Sequence, residues 1–391
     1  MTAAPGAAPS GGRSRALDVL RGATVALMIG VNNPGSWSAL YPPLAHAPWH
    51  GCTPTDLVFP FFLFAVGNAL AFTMPGLLAA PPAVFWAKVL RRTLLIFALG
   101  LLLNAAPFAR WQPDGTLGWR DWETLRVMGV LQRIALAWCA AALIVRCGGR
   151  RAVIPAAAAL LLGYWALCVA FGAPGDPYSL HGWFGTAVDR ALLGESHLYR
   201  GEGVPFDPEG LVSTVPAIAQ VLLGYWIGER LKGEAPSAAG VARLFTLAAG
   251  LLVLAYLWQL VMPFNKKIWT SSYVLLTTGL AVALLALLVQ RLDLHRRAGA
   301  WVSFCEVYGK NALFVYVMSG LIPRVDGLLR WNAGSTEQPR WLTPMGWAAR
   351  ELFEPIAPDP RFGSLLFALA NVAAYWALAW WLDRRRIYIR V

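Results

Sequence analysis

The chain has 391 residues, 57% of them hydrophobic and 14% charged, with 19 tryptophans and a mean hydropathy of +0.52. Soluble domains carry nearer a quarter charged residues, so a soluble globular protein is excluded and most of this surface is built for lipid. The formal net charge of +12 does not indicate nucleic-acid binding, because the basic residues gather at the ends of apolar runs and not along one face.

Residues 1–14 are rich in Gly, Ala, Pro and Ser with no apolar core, and are expected to form a disordered cytoplasmic tail. Residues 15–391 are expected to form one transmembrane domain. Apolar stretches long enough to cross the hydrocarbon core fall at about 17–33, 56–78, 84–106, 125–146, 152–172, 211–230, 242–262, 271–290, 302–322 and 363–382. Basic clusters at Arg13 and Arg15, Lys88 to Arg92, Arg146 to Arg151, Arg230 and Lys232, Arg291 to Arg297, and Arg384 to Arg390 occupy every second loop. That pattern puts both termini in the cytoplasm, which requires an even number of spans. The expected fold is an all-α integral membrane protein, a polytopic bundle of about ten transmembrane helices, N-in and C-in. The loops on the other side, about 34–55, 107–124, 173–210 and 323–362, are longer and rich in Trp, Pro, Gly and Asp.

Ionisable groups inside spans are costly in lipid and mark candidate functional positions. In the first span Arg15, Asp18 and Arg21 are three apart and share a face. They form either an ion-pair ladder that seats the helix or a cationic mouth for a phosphorylated ligand. The loop that follows holds His46 and His50 and ends in Thr53-Pro54-Thr55-Asp56. Thr53 and Asp56 have capping-box spacing, and the same carboxylate is also placed to hold an imidazole in one tautomer. In the fourth span Arg126 and Arg133 share a face and call for carboxylate partners. In the ninth, Glu306 and Lys310 have the order of an i, i+4 ion pair, and Asn311 is a candidate cavity residue. Lys266 and Lys267 stand on the outer side against the charge rule, placed to meet a sugar or a lipid head group, or simply to snorkel. There is no Walker loop, HExxH, GxSxG or CxxC motif to support nucleotide, zinc or serine-hydrolase chemistry.

The stretches LDVLRG (17–22), LMIGVN (27–32), HAPWHGCTPTDLVFPFFLF (46–64), VLQRIALAW (130–138), FDPEGLVSTVPAI (206–218), NKKIWTSSYVLLTTGLA (265–281) and GKNALFVY (309–316) occur in order along the chain. Together they resemble the heparan-α-glucosaminide N-acetyltransferase family. The resemblance covers the family's ten-helix core, without its luminal N-terminal domain and extra first helix. It implies transfer of an acetyl group from cytoplasmic acetyl-CoA to the amino group of glucosamine or a glucosamine-terminated glycan on the periplasmic side. It places the catalytic histidine at His46, with Pro48 and His50 departing from the family's Ser and Asn. It also brings in Asn32, to orient the thioester carbonyl, and Asp56, to orient His46. Arg15, Arg21, Arg91 and Arg92, with Arg133 and Asn311, would hold the acetyl-CoA. The implied setting is the bacterial inner membrane, as a homodimer, with no metal and no nucleic-acid partner. Direct transfer and an acetyl-histidine intermediate both remain open, and a transporter of amino sugars or glycan fragments is the alternative from another class.

Overall fold

The computed structural model describes residues 14–233, 235–297, 299–335 and 337–389. The tail expected over residues 1–14 therefore lies outside the described residues, apart from Ser14. The helices are α1 (Arg15–Asn32), α2 (Val58–Leu78), α3 (Pro82–Ala105), α4 (Val130–Gly148), α5 (Val153–Phe171), α6 (Gly185–Leu193), α7 (Thr214–Gly233) and α8 (Ala238–Gln259). They continue as α9 (Ser271–Leu288), α10 (Ala300–Lys310), α11 (Ala312–Asp326), α12 (Pro344–Ala348) and α13 (Pro360–Arg384). Two small antiparallel hairpins interrupt the loops, β1 (Ala109–Trp111) with β2 (Leu117–Trp119), and β3 (Trp331–Asn332) with β4 (Trp341–Leu342).

Among the described residues six helices are long and apolar enough to cross a membrane: α2, α4, α5, α8, α9 and α13. Their burial sorts them into layers. Of the apolar stretch of α9, 78% is buried, against 22% for α8 and 28% for α5 and for α13. Thus α9 is a central post, while α5, α8 and α13 keep most of their apolar surface on the outside. Backbones approach closely where α2 crosses α7. A Cβ on Gly67 would lie 2.1 Å from the Val221 carbonyl oxygen, and one on Gly224 would lie 2.3 Å from that of Phe64. Small residues at such crossings let helices pack without a water-driven force between them.

Three expectations are corrected. The fourth span does not begin at residue 125: Arg126 belongs to an extended lead-in, and α4 starts at Val130. The amide of Asn104 holds the carbonyl oxygens of Arg126 and Met128, each at 2.9 Å, so the lead-in cannot coil. The ninth span is two helices, broken at Asn311. That buried amide donates to the Ile387 carbonyl at 3.0 Å and accepts from the Ile389 N–H at 2.9 Å, closing the C-terminal segment over the break instead of lining a cavity. Glu306 and Lys310 do not pair with each other. Because α10 lies between α1 and α13, Glu306 meets Arg15 across one interface and Lys310 meets Asp383, at 2.8 Å, across the other.

Candidate active site

The loop from α1 to α2 turns back on itself at Thr53-Pro54-Thr55-Asp56. Thr53 is extended, Pro54 opens a short 3-10 turn over Pro54–Leu57, and Asp56 takes the third position, where a carboxylate reaches back to free N–H groups. Asp56 Oδ2 accepts the backbone N–H groups of Thr53 and Ala47, each at 3.0 Å. Its other oxygen, Oδ1, lies 2.6 Å from His46 Nδ1. The helix cap and the imidazole clamp are therefore one carboxylate. An ionised carboxylate only accepts, so Nδ1 carries the proton and Nε2 presents its lone pair. The His46 side chain is 46% exposed and that of Asp56 only 1%, which sets a half-exposed imidazole above a buried anion. From below, the Tyr273 hydroxyl on α9 donates to the Asp56 carbonyl at 2.5 Å, pinning the turn to the central post.

Two other loops brace this one. Lys267 donates to the Pro48 carbonyl and to Glu202, both at 2.7 Å, and its ammonium sits 5.6 Å from the Trp49 ring centre. The Trp49 indole N–H donates to the Tyr178 carbonyl at 2.8 Å. Its neighbour Lys266 enters the site itself. The Lys266 ammonium lies 3.2 Å from His46 Nδ1 and 3.5 Å from Asp56 Oδ1. His50 points elsewhere, with Nδ1 3.3 Å from the Asn265 amide, and partial burial lowers its pKa.

Beside the histidine lies the Phe206-Asp207-Pro208-Glu209-Gly210 turn. Arg126 forks onto Asp207 at 2.9 and 2.6 Å and reaches Glu209 at 2.5 Å. These are the carboxylates its sequence position called for. Burial works against ionisation of Glu209, but the cations around it, Arg126 first and then Arg133 and Lys266, together hold the carboxyl below the ordinary glutamate range. Arg133, fully buried, donates to the Pro208 carbonyl at 2.7 Å and to the Ser213 hydroxyl, and lies 4.9 Å from the Trp269 ring centre. Asp189 of α6 accepts the N–H groups of Leu211 and Val212 at 3.0 and 3.2 Å, and burial raises its carboxyl to about 6.

Of the residues singled out from sequence, the structure joins His46 to Asp56. Asn32 ends α1, exposed, and makes no side-chain hydrogen bond among the described residues. Arg15 and Arg21 stand toward the opposite end of α1, which is about 27 Å long at 1.5 Å per residue. There Arg15 pairs with Glu306, and Arg21 contacts Asp18 at 3.0 Å. On α3, Arg91 is exposed and Arg92 lies 4.6 Å from the Trp138 ring centre. The sequence reading missed Lys266 as a partner of His46. Its signal was present as a lysine on the wrong side for the charge rule.

A family model described as the heparan-alpha-glucosaminide N-acetyltransferase catalytic region matches residues 13–255, which include His46, Asp56 and the 206–210 turn. The chain is 27% identical over 359 residues to the heparan-alpha-glucosaminide N-acetyltransferase of Homo sapiens, covering 78% of this chain and 52% of that protein. It is 26% identical over 364 residues to the Mus musculus protein of the same name, covering 79% of this chain and 53% of the relative. The chain thus spans about half the length of the curated relatives it matches. With that match running from α1 into α8 and enclosing the histidine–aspartate pair, the chain belongs to the heparan-alpha-glucosaminide N-acetyltransferase family, through its catalytic region.

Proposed function

We propose that this protein is a membrane acetyltransferase that moves an acetyl group from cytoplasmic acetyl-CoA to the amino group of glucosamine, or of a glucosamine-terminated glycan, on the periplasmic side. The observation that carries the reading is the His46–Asp56 pair, with Nδ1 bound at 2.6 Å and the imidazole half-exposed. In this reading Nε2 takes a proton from the acceptor nitrogen as that nitrogen attacks the thioester carbonyl. The C–N bond forms, the C–S bond breaks, and the thiolate leaves with a proton returned from His46. Asn32, at the end of α1, supplies a neutral donor to the oxyanion. Arg15, Arg21, Arg91 and Arg92 offer cations for the donor's phosphates. Arg133 acts behind the site, through the 208–213 loop it ties down, while Asn311 ties down the C-terminal segment.

The same reading takes ten helical spans with both termini in the cytoplasm, in a bacterial inner membrane, and a homodimer as the assembly. It is supported by the basic clusters on alternate loops and by the gathering of the His46 loop, segment 173–210 and the α8–α9 turn at one end. Labelled acetyl-CoA and glucosamine, given to the purified protein in detergent, are expected to yield labelled N-acetylglucosamine. No transfer across a panel of amino sugars, together with no binding of acetyl-CoA, would overturn the proposal and leave a transporter of amino sugars. Label found on His46 with acetyl-CoA alone would establish the covalent route.

A further inference from the structure

Lys266 lies in the turn between α8 and α9, beyond the residues 13–255 that the family model matches, yet among the described residues its ammonium is the cation recorded against His46. That placement is built. The Asn265 side chain accepts the Ile268 N–H at 3.0 Å, and the Asn265 N–H donates to the Thr270 hydroxyl at 3.0 Å. The Thr270 hydroxyl in turn donates to the Pro263 carbonyl at 2.9 Å. The Gly51 N–H donates to the Phe264 carbonyl at 2.8 Å, which locks the turn to the His46 loop. Trp269, its ring buried, is held at a φ of 54° that L side chains rarely adopt, as expected where surrounding contacts over-determine the backbone.

We propose that Lys266 is a positioning residue that sets the charge on His46: it shares Asp56 Oδ1 with the imidazole, opposes a second proton on the ring and so keeps Nε2 a free base near neutral pH. The physical reason starts from the pair alone. A buried carboxylate 2.6 Å from an imidazole favours the imidazolium, and an imidazolium cannot accept a proton. A second cation on the same oxygen removes part of that advantage. The charged and titratable groups facing Lys266 are His46, Asp56, Glu209 and Cys52, and Arg126 faces it across Glu209. Burial lowers the ammonium from the ordinary lysine range, and attraction to Asp56 and Glu209 works against that lowering. The role in catalysis rests on the acetyltransferase reading, whereas the charge on His46 does not.

The test reads that charge directly. Only a neutral imidazole reacts with diethyl pyrocarbonate, and peptide mass spectrometry separates His46 from His50, His181, His197 and His295. In Lys266→Met and Lys266→Gln the midpoint of His46 reactivity is expected to move to higher pH by roughly one unit or more. In Lys266→Arg it is expected to stay near the wild-type position. Unchanged profiles at His181 and His197 mark the fold as intact, and the two neutral variants give two chances of a folded protein. An unmoved midpoint, or one displaced to lower pH, would overturn the proposal whether or not the protein transfers acetyl groups. A shifted midpoint in a protein that transfers nothing would sustain this inference and count against the acetyltransferase reading alone. Where transfer is measured, the acid limb of kcat against pH moves with the same sign, which a merely structural lysine would not produce.

Discussion

Asp56→Asn is expected to lower acetyl transfer by about two to four orders of magnitude while leaving the bundle folded. The two oxygens of Asp56 have different duties. Oδ2 accepts two backbone N–H groups, from Ala47 and Thr53, and the Thr53 hydroxyl lies 3.0 Å away. An asparagine can serve those donors only with its single oxygen in that place. Its NH2 group then occupies the position of Oδ1, facing His46 Nδ1 and the Lys266 ammonium. An amide there donates to Nδ1 instead of accepting from it, so the imidazole proton moves to Nε2 and the base is lost. The cap survives because its acceptor survives. Transfer rates beside a thermal denaturation curve check both halves: low activity with a near-native transition is the expected pair. Activity within a few-fold of wild type would mean that the tautomer of His46 does not matter.

The second large effect falls on stability. Arg126→Met leaves Asp207 and Glu209 facing each other without the guanidinium that forks between them. Asp207 has no exposed side-chain surface, and Glu209 has 15%. Removing one partner of a buried ion pair costs about 3–5 kcal/mol, because the stranded charge pays its desolvation without return. Equilibrium unfolding in mixed detergent micelles at neutral pH is expected to show a loss of that order. Arg126→Lys should recover only part of it, since an ammonium cannot form the planar fork. The loss also has a pH signature. The Glu209 carboxyl is held below its usual range, so its contribution is present above the unfolded carboxylate range and vanishes as pH falls through the folded value. The gap between wild type and Arg126→Met should therefore narrow on acidification.

The helices were legible because apolar length is written locally in the chain. The second span was expected over 56–78 and is helical over Val58–Leu78, and the one expected over 271–290 forms Ser271–Leu288. The errors sit where a distant residue decides the backbone. Nothing near Arg126 announces that Asn104 will hold its carbonyl, and nothing near Asn311 announces that Ile387 and Ile389 will claim its amide. The candidate site divides in the same way. His46 and Asp56 are ten residues apart, in a turn with capping-box spacing, so a contact between them was readable from the sequence. Lys266 is 220 residues from His46, and the Glu306 and Lys310 partners lie on other helices. Pairings over such separations follow from how the bundle closes, not from local pattern.

The most direct test of the central claim is the rate of acetyl transfer by His46→Ala beside wild type, with both proteins shown to be folded by the same denaturation curve. The account predicts a fall of about two orders of magnitude or more, with acetyl-CoA still bound. A His46→Ala protein that transfers at a rate within a few-fold of wild type would contradict it.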